Sequence, residues 1–472
     1  MSTFYAATEF LERYAGVLWV WPGEHGTVIP KMDRLTATVR EQLSEPAFRA
    51  RKFSGIRKAK MAHYRIHLTG REIRSHFHHN VWRVLRPEMY EKHPEYFSLV
   101  DGKRRKPTKQ NPSSNWQACT SNPQVIQLCV DAAKRQFKKQ PWISAFSVSQ
   151  NDGLGFCECD KCRALDPPGV EGISDRYFLF MNAVADGVRD EYPDKFISCL
   201  AYGGKGTAAV PVQVKLRDNT LIYAVVPTLR DHHETIVEWS KAAPNLGVYF
   251  WLHGKPVPKF YPHRWAKYLK FLRRHNVREV YAEVYQHKPE RMATWELDGP
   301  RVWLTAKLLW NPDADIDELM QRFCSRFYGP AQEPMQRYYQ QCEKAWERRE
   351  DPFDFGKKWR DLEFDQYTAT DMIVMERCVA EALELSTTAP EVNARLQALA
   401  NALAPVAGYI RQLALADELP KTAIADQRDA EEAVAKIHAL EMRARDLARE
   451  GKSLMGTLPN ETETAIDTCF CR

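Results

Sequence analysis

The sequence lacks the features that would place it at once in several large classes. It has no run of about 18 apolar residues, so no membrane span is expected. No Gly-rich phosphate loop follows any strand-like segment, which weighs against a nucleotide-binding doubly wound sheet. No cofactor is expected. Neither sign of charge dominates: 67 Lys and Arg against 61 Asp and Glu leave a net +6 over 472 residues. The basic clusters Arg49–Lys60 and Lys103–Lys109 are short and read as solvated faces, so no nucleic-acid partner is expected. The N-terminus has no basic leader followed by an apolar core. Phe4–Leu11 instead carries an amphipathic helix pattern. Taken as written, the product is expected in the cytoplasm; a truncated start would fit a secreted or periplasmic protein.

What is present describes an ordinary globular chain, 44% hydrophobic and 27% charged, with ample material for a core. Its length suggests about three structural units, at roughly one per 150 residues, or fewer if one is a barrel. Thirteen Trp and nineteen Tyr are many, and several end strand-like runs. Aromatic faces suit the apolar faces of sugar rings, and they also fill large cores. Eleven Cys are scattered except for Cys157-Glu158-Cys159-Asp160-Lys161-Cys162. Two cysteines one residue apart rarely bridge each other, so this cluster needs other partners. A structural metal with Cys119 or Cys129 as fourth ligand, a disulfide to Cys119, and reduced packing thiols all remain open.

Residues 1–50 read as a fragment of a small α/β unit: a helix over Phe4–Tyr14, a strand and turn at Gly16–Gly26, and an extended Val28-Ile29-Pro30. The charged stretch Arg49–Lys60 has no periodicity and reads as a connector. From about 60 to 340, strand-length apolar runs alternate with helical stretches. The runs are His63–Leu68, Ile143–Val148, Phe196–Tyr202, Leu221–Val226, Val248–Leu252 and Val280–Val284; the helices include Asp175–Asp190, Thr235–Ala243 and Trp265–His275. Strand, helix, strand at this spacing implies parallel pairing with right-handed crossovers. The expectation is an α/β fold: a (β/α)8 TIM-type barrel over 51–340, with the two further strands either in the irregular 70–125 region or missing from an incomplete barrel. An open doubly wound sheet is the alternative. Beyond residue 330 the spacing is purely helical over Met335–Arg348, Ala369–Leu385, Glu391–Leu413 and Asp429–Ala448, which predicts a C-terminal α-helical domain at 341–472.

A parallel barrel delivers its chemistry at the C-terminal ends of its strands. One run there ends in Gln150-Asn151-Asp152-Gly153, and another, Val280-Tyr281-Ala282-Glu283-Val284-Tyr285, places a carboxylate in an apolar strand. Two carboxylates on different strands are the minimum apparatus for glycosidic cleavage. Asp152 and Glu283 are therefore the candidate catalytic residues. Asp152 also suits a turn or helix cap, and Glu283 a bridge to Arg278 or Lys288. In His76-Phe77-His78-His79, two histidines share one side of a strand, but no third ligand accompanies them. His78 is read as a substrate contact, and no metal is assigned to the site. Tyr202, Trp251, His253 and Tyr285 end strands and are candidate sugar contacts, with Asn151 beside Asp152.

Several of these stretches resemble a known family. They are Phe10-Leu11-Glu12-Arg13 through Trp21-Pro22-Gly23 and Val28-Ile29-Pro30, then His93-Pro94-Glu95-Tyr96-Phe97 with Gly102-Lys103-Arg104, then Cys119-Thr120-Ser121-Asn122-Pro123. Ser149-Gln150-Asn151-Asp152-Gly153 running into Cys157-Glu158-Cys159 and Cys162 follows the same pattern, as do Leu308-Leu309-Trp310-Asn311-Pro312 and Phe327-Tyr328-Gly329-Pro330-Ala331. Over roughly residues 1–340 the chain resembles the bacterial family first catalogued as domain of unknown function 4838. Some of its members are endo-β-N-acetylglucosaminidases, and its architecture is similar to that of β-hexosaminidases and α-glucuronidases. The resemblance implies a glycan substrate and retaining, substrate-assisted hydrolysis, in which the 2-acetamido oxygen attacks the anomeric carbon. Glu283 would then be the general acid and Asp152 the carboxylate steadying the acetamido group, with Asn151 helping to orient it. Trp251-Leu252-His253 departs from the Trp-Asp-Tyr expected there. Two other readings stay open: a hydrolase of uronic-acid or other glycosides, with Arg176 or Arg230 holding the substrate carboxylate, and a non-catalytic carbohydrate-binding protein.

Overall fold

The computed structural model describes residues 2–38, 43–54, 74–108, 113–226, 232–284, 294–348 and 363–417. Its centre is a parallel sheet of β3 (Ala50–Ser54), β4 (Arg74–Ser75), β7 (Ile143–Ser147), β8 (Phe196–Ala201), β9 (Thr220–Val226), β10 (Leu246–Phe250) and β11 (Val277–Glu283). The spatial order is β3-β11-β10-β9-β8-β7-β4, so the first of these strands lies beside the last and the rest follow in sequence. The helices α3 (Pro123–Lys139), α5 (Ser174–Arg189), α6 (His232–Ala242) and α7 (Pro262–Arg274) connect consecutive strands, as parallel pairing requires, while α2 (Val81–Val84) and α4 (Asp160–Arg163) are single turns. The small pairs β1 (Leu18–Trp19) with β2 (Thr27–Val28), and β5 (Leu99–Val100) with β6 (Lys103–Arg104), are antiparallel.

Alternation along the strands gives the sheet two apolar faces. One set, including Ile197, Cys199, Ile222, Val248, Phe250 and Val280, belongs to the large core that also holds Phe178 and Met181 of α5, Trp239 of α6 and Tyr268 and Leu272 of α7. The opposite set, Ala145, Leu200, Leu221, Tyr223 and Tyr281, gathers around Phe77 in a second core of its own. That second core reveals the curvature. Phe77 lies two residues beyond β4, three strands from β9 and five from β11. In a flat sheet those separations would be roughly 14 and 24 Å at about 4.8 Å per strand. The Phe77 ring nevertheless stacks on Tyr223 at 3.7 Å and meets Tyr281 edge-on at 4.9 Å. The sheet is therefore curled around Phe77.

The connector expected at Arg49–Lys60 is corrected in part: Ala50–Ser54 is a strand, parallel to β11. Its pattern was hidden by Arg51, which is buried, donates to the Phe48 carbonyl at 2.6 Å and lies over the Trp310 ring at 5.0 Å. The expected strand His63–Leu68 and the expected helix Asp429–Ala448 lie outside the described residues. A strand sought in the irregular 70–125 region is β4, only two residues long.

The helices α8 (Trp295–Trp310), α9 (Ile316–Tyr328), α10 (Gln332–Glu347), α11 (Ala369–Leu385) and α12 (Pro390–Asp417) extend the large core rather than forming a second one. Helix α1 (Ser2–Tyr14) is tied to α8 and α9: Lys307 pairs with Glu12, and Arg326 donates to the Glu12 carbonyl at 2.6 Å. Gly299 in α8 admits Trp21, since a Cβ there would stand 2.6 Å from the indole. From the other side, Trp346 and Tyr367 both donate to the carbonyl of Pro258, at 3.0 and 2.6 Å. The helical layer thus grips the loop that follows β10. No helix among the described residues is long and apolar enough to cross a membrane.

Candidate active site

Glu279, Tyr281 and Glu283 alternate onto the concave face of β11, with Glu283 at its C-terminal end in register with Ser54. Deepest is Glu279, wholly buried and held by Arg49 and the Tyr223 hydroxyl. At the rim, Glu283 has a side chain only 13% exposed, and its Oε2 lies 3.3 Å from Nε2 of the buried His253. His253 is delivered by the loop after β10, which Gly254 ties to β11 by donating to the Val284 carbonyl at 3.1 Å. The Trp251 indole lies nearly parallel to the His253 ring, 6.5 Å away. Leu252, between them, turns its side chain into the large core while its carbonyl accepts from Arg301 at 3.2 Å. The departure from the expected Trp-Asp-Tyr therefore falls in the core at its middle position.

Asp152 follows β7 in a loop whose backbone is fastened to a neighbouring segment: Asp152 N donates to the Ser113 carbonyl, and Asn115 N to the Asp152 carbonyl. Gly153 then takes φ +79°, and a Cβ there would stand 2.4 Å from the Asn115 side chain, so only glycine fits this turn. The Asp152 carboxylate is open to solvent and accepts from the Tyr202 hydroxyl at 3.3 Å, with His79 Nε2 3.9 Å away. It lines a cleft of about 480 Å³ together with Leu154, Phe156, Glu171, Tyr202 and Lys205. Tyr202 stands at the end of β8. Burial first, then the charge of Asp152 and finally that of Glu283, pushes its phenol up to about 12.

Asn151 has a different task from the one expected. It is buried, its amide accepts from Trp82 N and donates to the Trp116 carbonyl, each at 2.9 Å, and its backbone is bracketed by Gln117. It builds the loop that presents Asp152. His78 sits in the concavity against Tyr281, at 4.9 Å between rings, ringed by protein yet exposed to solvent. That surrounding protein, aided by Lys52 and opposed by Glu283, pushes its imidazole down to about 4, so it is neutral at neutral pH. Ser147 and Ser149 fix the backbone of this segment by donating to the carbonyls of His78 and Phe77.

Residue order along the chain missed His79 and Gln150. His79 was visible only as part of a histidine run. Gln150, buried, donates to the Tyr202 carbonyl and to Thr207 and so braces Tyr202. Tyr285 and Arg230, both expected near the substrate, lie outside the described residues. Arg176 is committed elsewhere: it donates to the Cys157 carbonyl at 2.6 Å and pairs with Asp166 at 3.3 Å. Arg278, the bridge partner suggested for Glu283, donates to Asn276 instead. Among the described residues, the one set of three or more ligand-type side chains that could hold a metal is Cys119, Cys157, Cys159 and Cys162, outside this mouth.

Comparison with solved structures finds folds of the same kind. A Clostridium perfringens family 89 glycoside hydrolase, in a variant with two glutamates replaced by glutamine and in complex with its substrate GlcNAc-α-1,4-galactose, superposes with a TM-score of 0.55 at 9% identity. The match covers 97% of this chain and 59% of that one. A family 89 enzyme from the same organism with bound 2-acetamido-1,2-dideoxynojirimycin gives a TM-score of 0.50 at 8% identity, covering 92% and 58%. At these identities the likeness is one of fold, and the chain spans about three-fifths of the length of those proteins. No curated protein matches the sequence. The family described as domain of unknown function (DUF4838) matches residues 21–341, more than half of the chain, and the protein belongs to that family.

Proposed function

We propose that this protein is a glycoside hydrolase acting on glycans that contain β-linked N-acetylglucosamine, by retaining, substrate-assisted catalysis. The observation that carries the reading is a chain of contacts across the concave face: Asp152 accepts from Tyr202, Tyr202 packs on the inner core around Phe77, and Phe77 and His78 pack on Tyr281, two residues before Glu283. Glu283, largely withdrawn from water and beside His253, is the general acid that protonates the leaving oxygen. Asp152, oriented by the Tyr202 hydroxyl, steadies the substrate's acetamido group as its oxygen attacks the anomeric carbon. Trp251 and Tyr202 supply ring faces for sugars, with His78 as a neutral hydrogen-bonding contact. The 2-acetamido sugars bound to the two family 89 structures favour this substrate class; the β linkage rests on the family resemblance.

We further infer a (β/α)8-type barrel. The curled sheet has seven strands among the described residues, with β3 and β4 at its edges, and one further strand between those edges would complete a ring of eight. The division at about residues 50 and 340 is proposed as three parts of the chain that share one large core.

The test is hydrolysis of aryl N-acetylglucosaminides of both anomers, aryl glucuronides and intact N-glycans, comparing wild type with Glu283→Gln. Loss of a general acid lowers turnover by about 10²–10⁴-fold. Release from β-N-acetylglucosaminides or N-glycans by wild type, abolished in the variant, supports the reading. Activity confined to uronides or α-anomers would change the substrate class, and glycan binding without turnover would leave a carbohydrate-binding protein.

A further inference from the structure

The cysteines whose role the sequence left open converge. Cys157, Cys159 and Cys162 follow the Asp152 loop, and Cys119 arrives 38 residues earlier in the chain from a separate segment. The four Sγ atoms all lie within 4.8 Å of one another, and Cys119 is 3.7 Å from Cys159 and 3.8 Å from Cys162. Cys129, the other candidate for the fourth position, is buried on α3 in the large core instead. A tetrahedral Zn(II) with Zn–S bonds of about 2.3 Å needs sulfurs about 3.8 Å apart. The two distances from Cys119 match edges of such a tetrahedron, and no sulfur pair is more than 4.8 Å apart.

The surroundings suit thiolates. Leu99 N donates to the Cys157 sulfur at 3.3 Å, the Arg104 guanidinium stands 3.9 Å from it, and the Ser121 hydroxyl lies 3.1 Å from the Cys162 sulfur. These groups are the hydrogen-bonding shell that holds metal ligands in place, and Arg104 offsets part of the net −2 charge of a zinc tetrathiolate. Cys119, Cys157 and Cys162 are buried, so four sulfurs would close the coordination sphere and leave no position for water. We propose that Cys119, Cys157, Cys159 and Cys162 bind one structural Zn(II) ion.

Such a site has a clear purpose in the fold. The β5–β6 hairpin carries little apolar area, and its backbone reaches the segment after Asp152 through hydrogen bonds such as Glu158 N to the Leu99 carbonyl at 2.7 Å. A zinc ion crosslinks the hairpin-side segment, through Cys119, to the loop bearing Asp152, Leu154 and Phe156, and so holds one wall of the cleft. This role does not depend on the glycosidase assignment.

The experiment is metal analysis and sulfur X-ray absorption on the intact wild-type protein purified without chelator, with thiol counting after denaturation. About one zinc per chain, an all-sulfur shell at about 2.3 Å, and loss of that zinc in Cys162→Ser and Cys119→Ser are expected. Because those variants risk misfolding, wild type stripped by a chelator and reloaded with Co(II) supplies a second readout: the visible bands of a tetrahedral cobalt tetrathiolate. Iron at equal stoichiometry, disulfides among these cysteines, or four reactive thiols with no metal would each overturn the assignment.

Discussion

Replacing Phe77 with alanine tests the architecture at its most informative point. The ring is 1% exposed and is the hub of the inner core, stacked on Tyr223 and edge-on to Tyr281 and Tyr249, at 3.7, 4.9 and 6.0 Å. Its burial contributes about 1.5–3 kcal/mol of transfer free energy. Truncation adds about 24 cal/mol for each Å³ of cavity that fails to collapse, and buried Phe→Ala changes cost about 3–5 kcal/mol in all. Here collapse is opposed by the strands themselves, whose ladders fix the spacing of Tyr223 and Tyr281. The upper half of that range is expected. Urea denaturation of wild type and Phe77→Ala, followed by fluorescence and circular dichroism together, measures the difference. Turnover should fall as well, because His78 is the next residue. A loss below about 1 kcal/mol would mean that the ring is not enclosed, and the curled sheet argued from it would fall.

Three further outcomes follow from the same geometry. Tyr202→Phe removes the hydroxyl donated to Asp152; a hydrogen bond to a charged group contributes about 1.5–3 kcal/mol, so kcat/KM should drop roughly 10- to 100-fold with an unchanged melting curve. Asp298→Asn leaves the buried Arg301 guanidinium, now paired at 2.5 and 2.7 Å, without its counter-charge, and should cost about 3–5 kcal/mol by chemical denaturation; an exposed-pair effect below 1 kcal/mol would contradict its burial. His78 titrates low in the folded protein, so the unfolded chain takes up its proton first as pH falls. The stability it contributes is complete above about 6.5 and is lost as pH falls toward 4. An NMR titration should find this imidazole neutral at pH 6, and His78→Gln should flatten the acid side of the stability profile; an ordinary histidine titration near 6.5 would refute the reasoning.

The periodic parts of the chain were legible because burial on one or both faces leaves a repeating apolar pattern. β7 to β11 lie where the apolar runs placed them, within a few residues, as do α5, α7, α10 and α11. β3 was not legible, because Arg51 and Lys52 interrupt its pattern and the partners that shelter Arg51, Phe48 and Trp310, are not readable from that stretch. β4 is too short to carry a period. Among the candidate site residues, Asp152, Glu283, Tyr202 and His253 were proposed from their places at strand ends, whereas the loop-building and bracing contacts of Asn151 and Gln150, and the place of His79 near Asp152, were not readable there.

The sequence by itself determined the alternation of strand and helix, the family, the carboxylates worth testing and the cysteines worth watching, since each is written locally in spacing or residue type. Only the tertiary structure decided which of them meet. Tyr202 donates to Asp152, His253 lies against Glu283, Cys119 rather than Cys129 completes the sulfur cluster, and Asn151 turns inward to build the loop. Those outcomes depend on contacts between residues 30 to 50 positions apart. Curvature is a property of the packed inner core around Phe77 and cannot be read from any one segment.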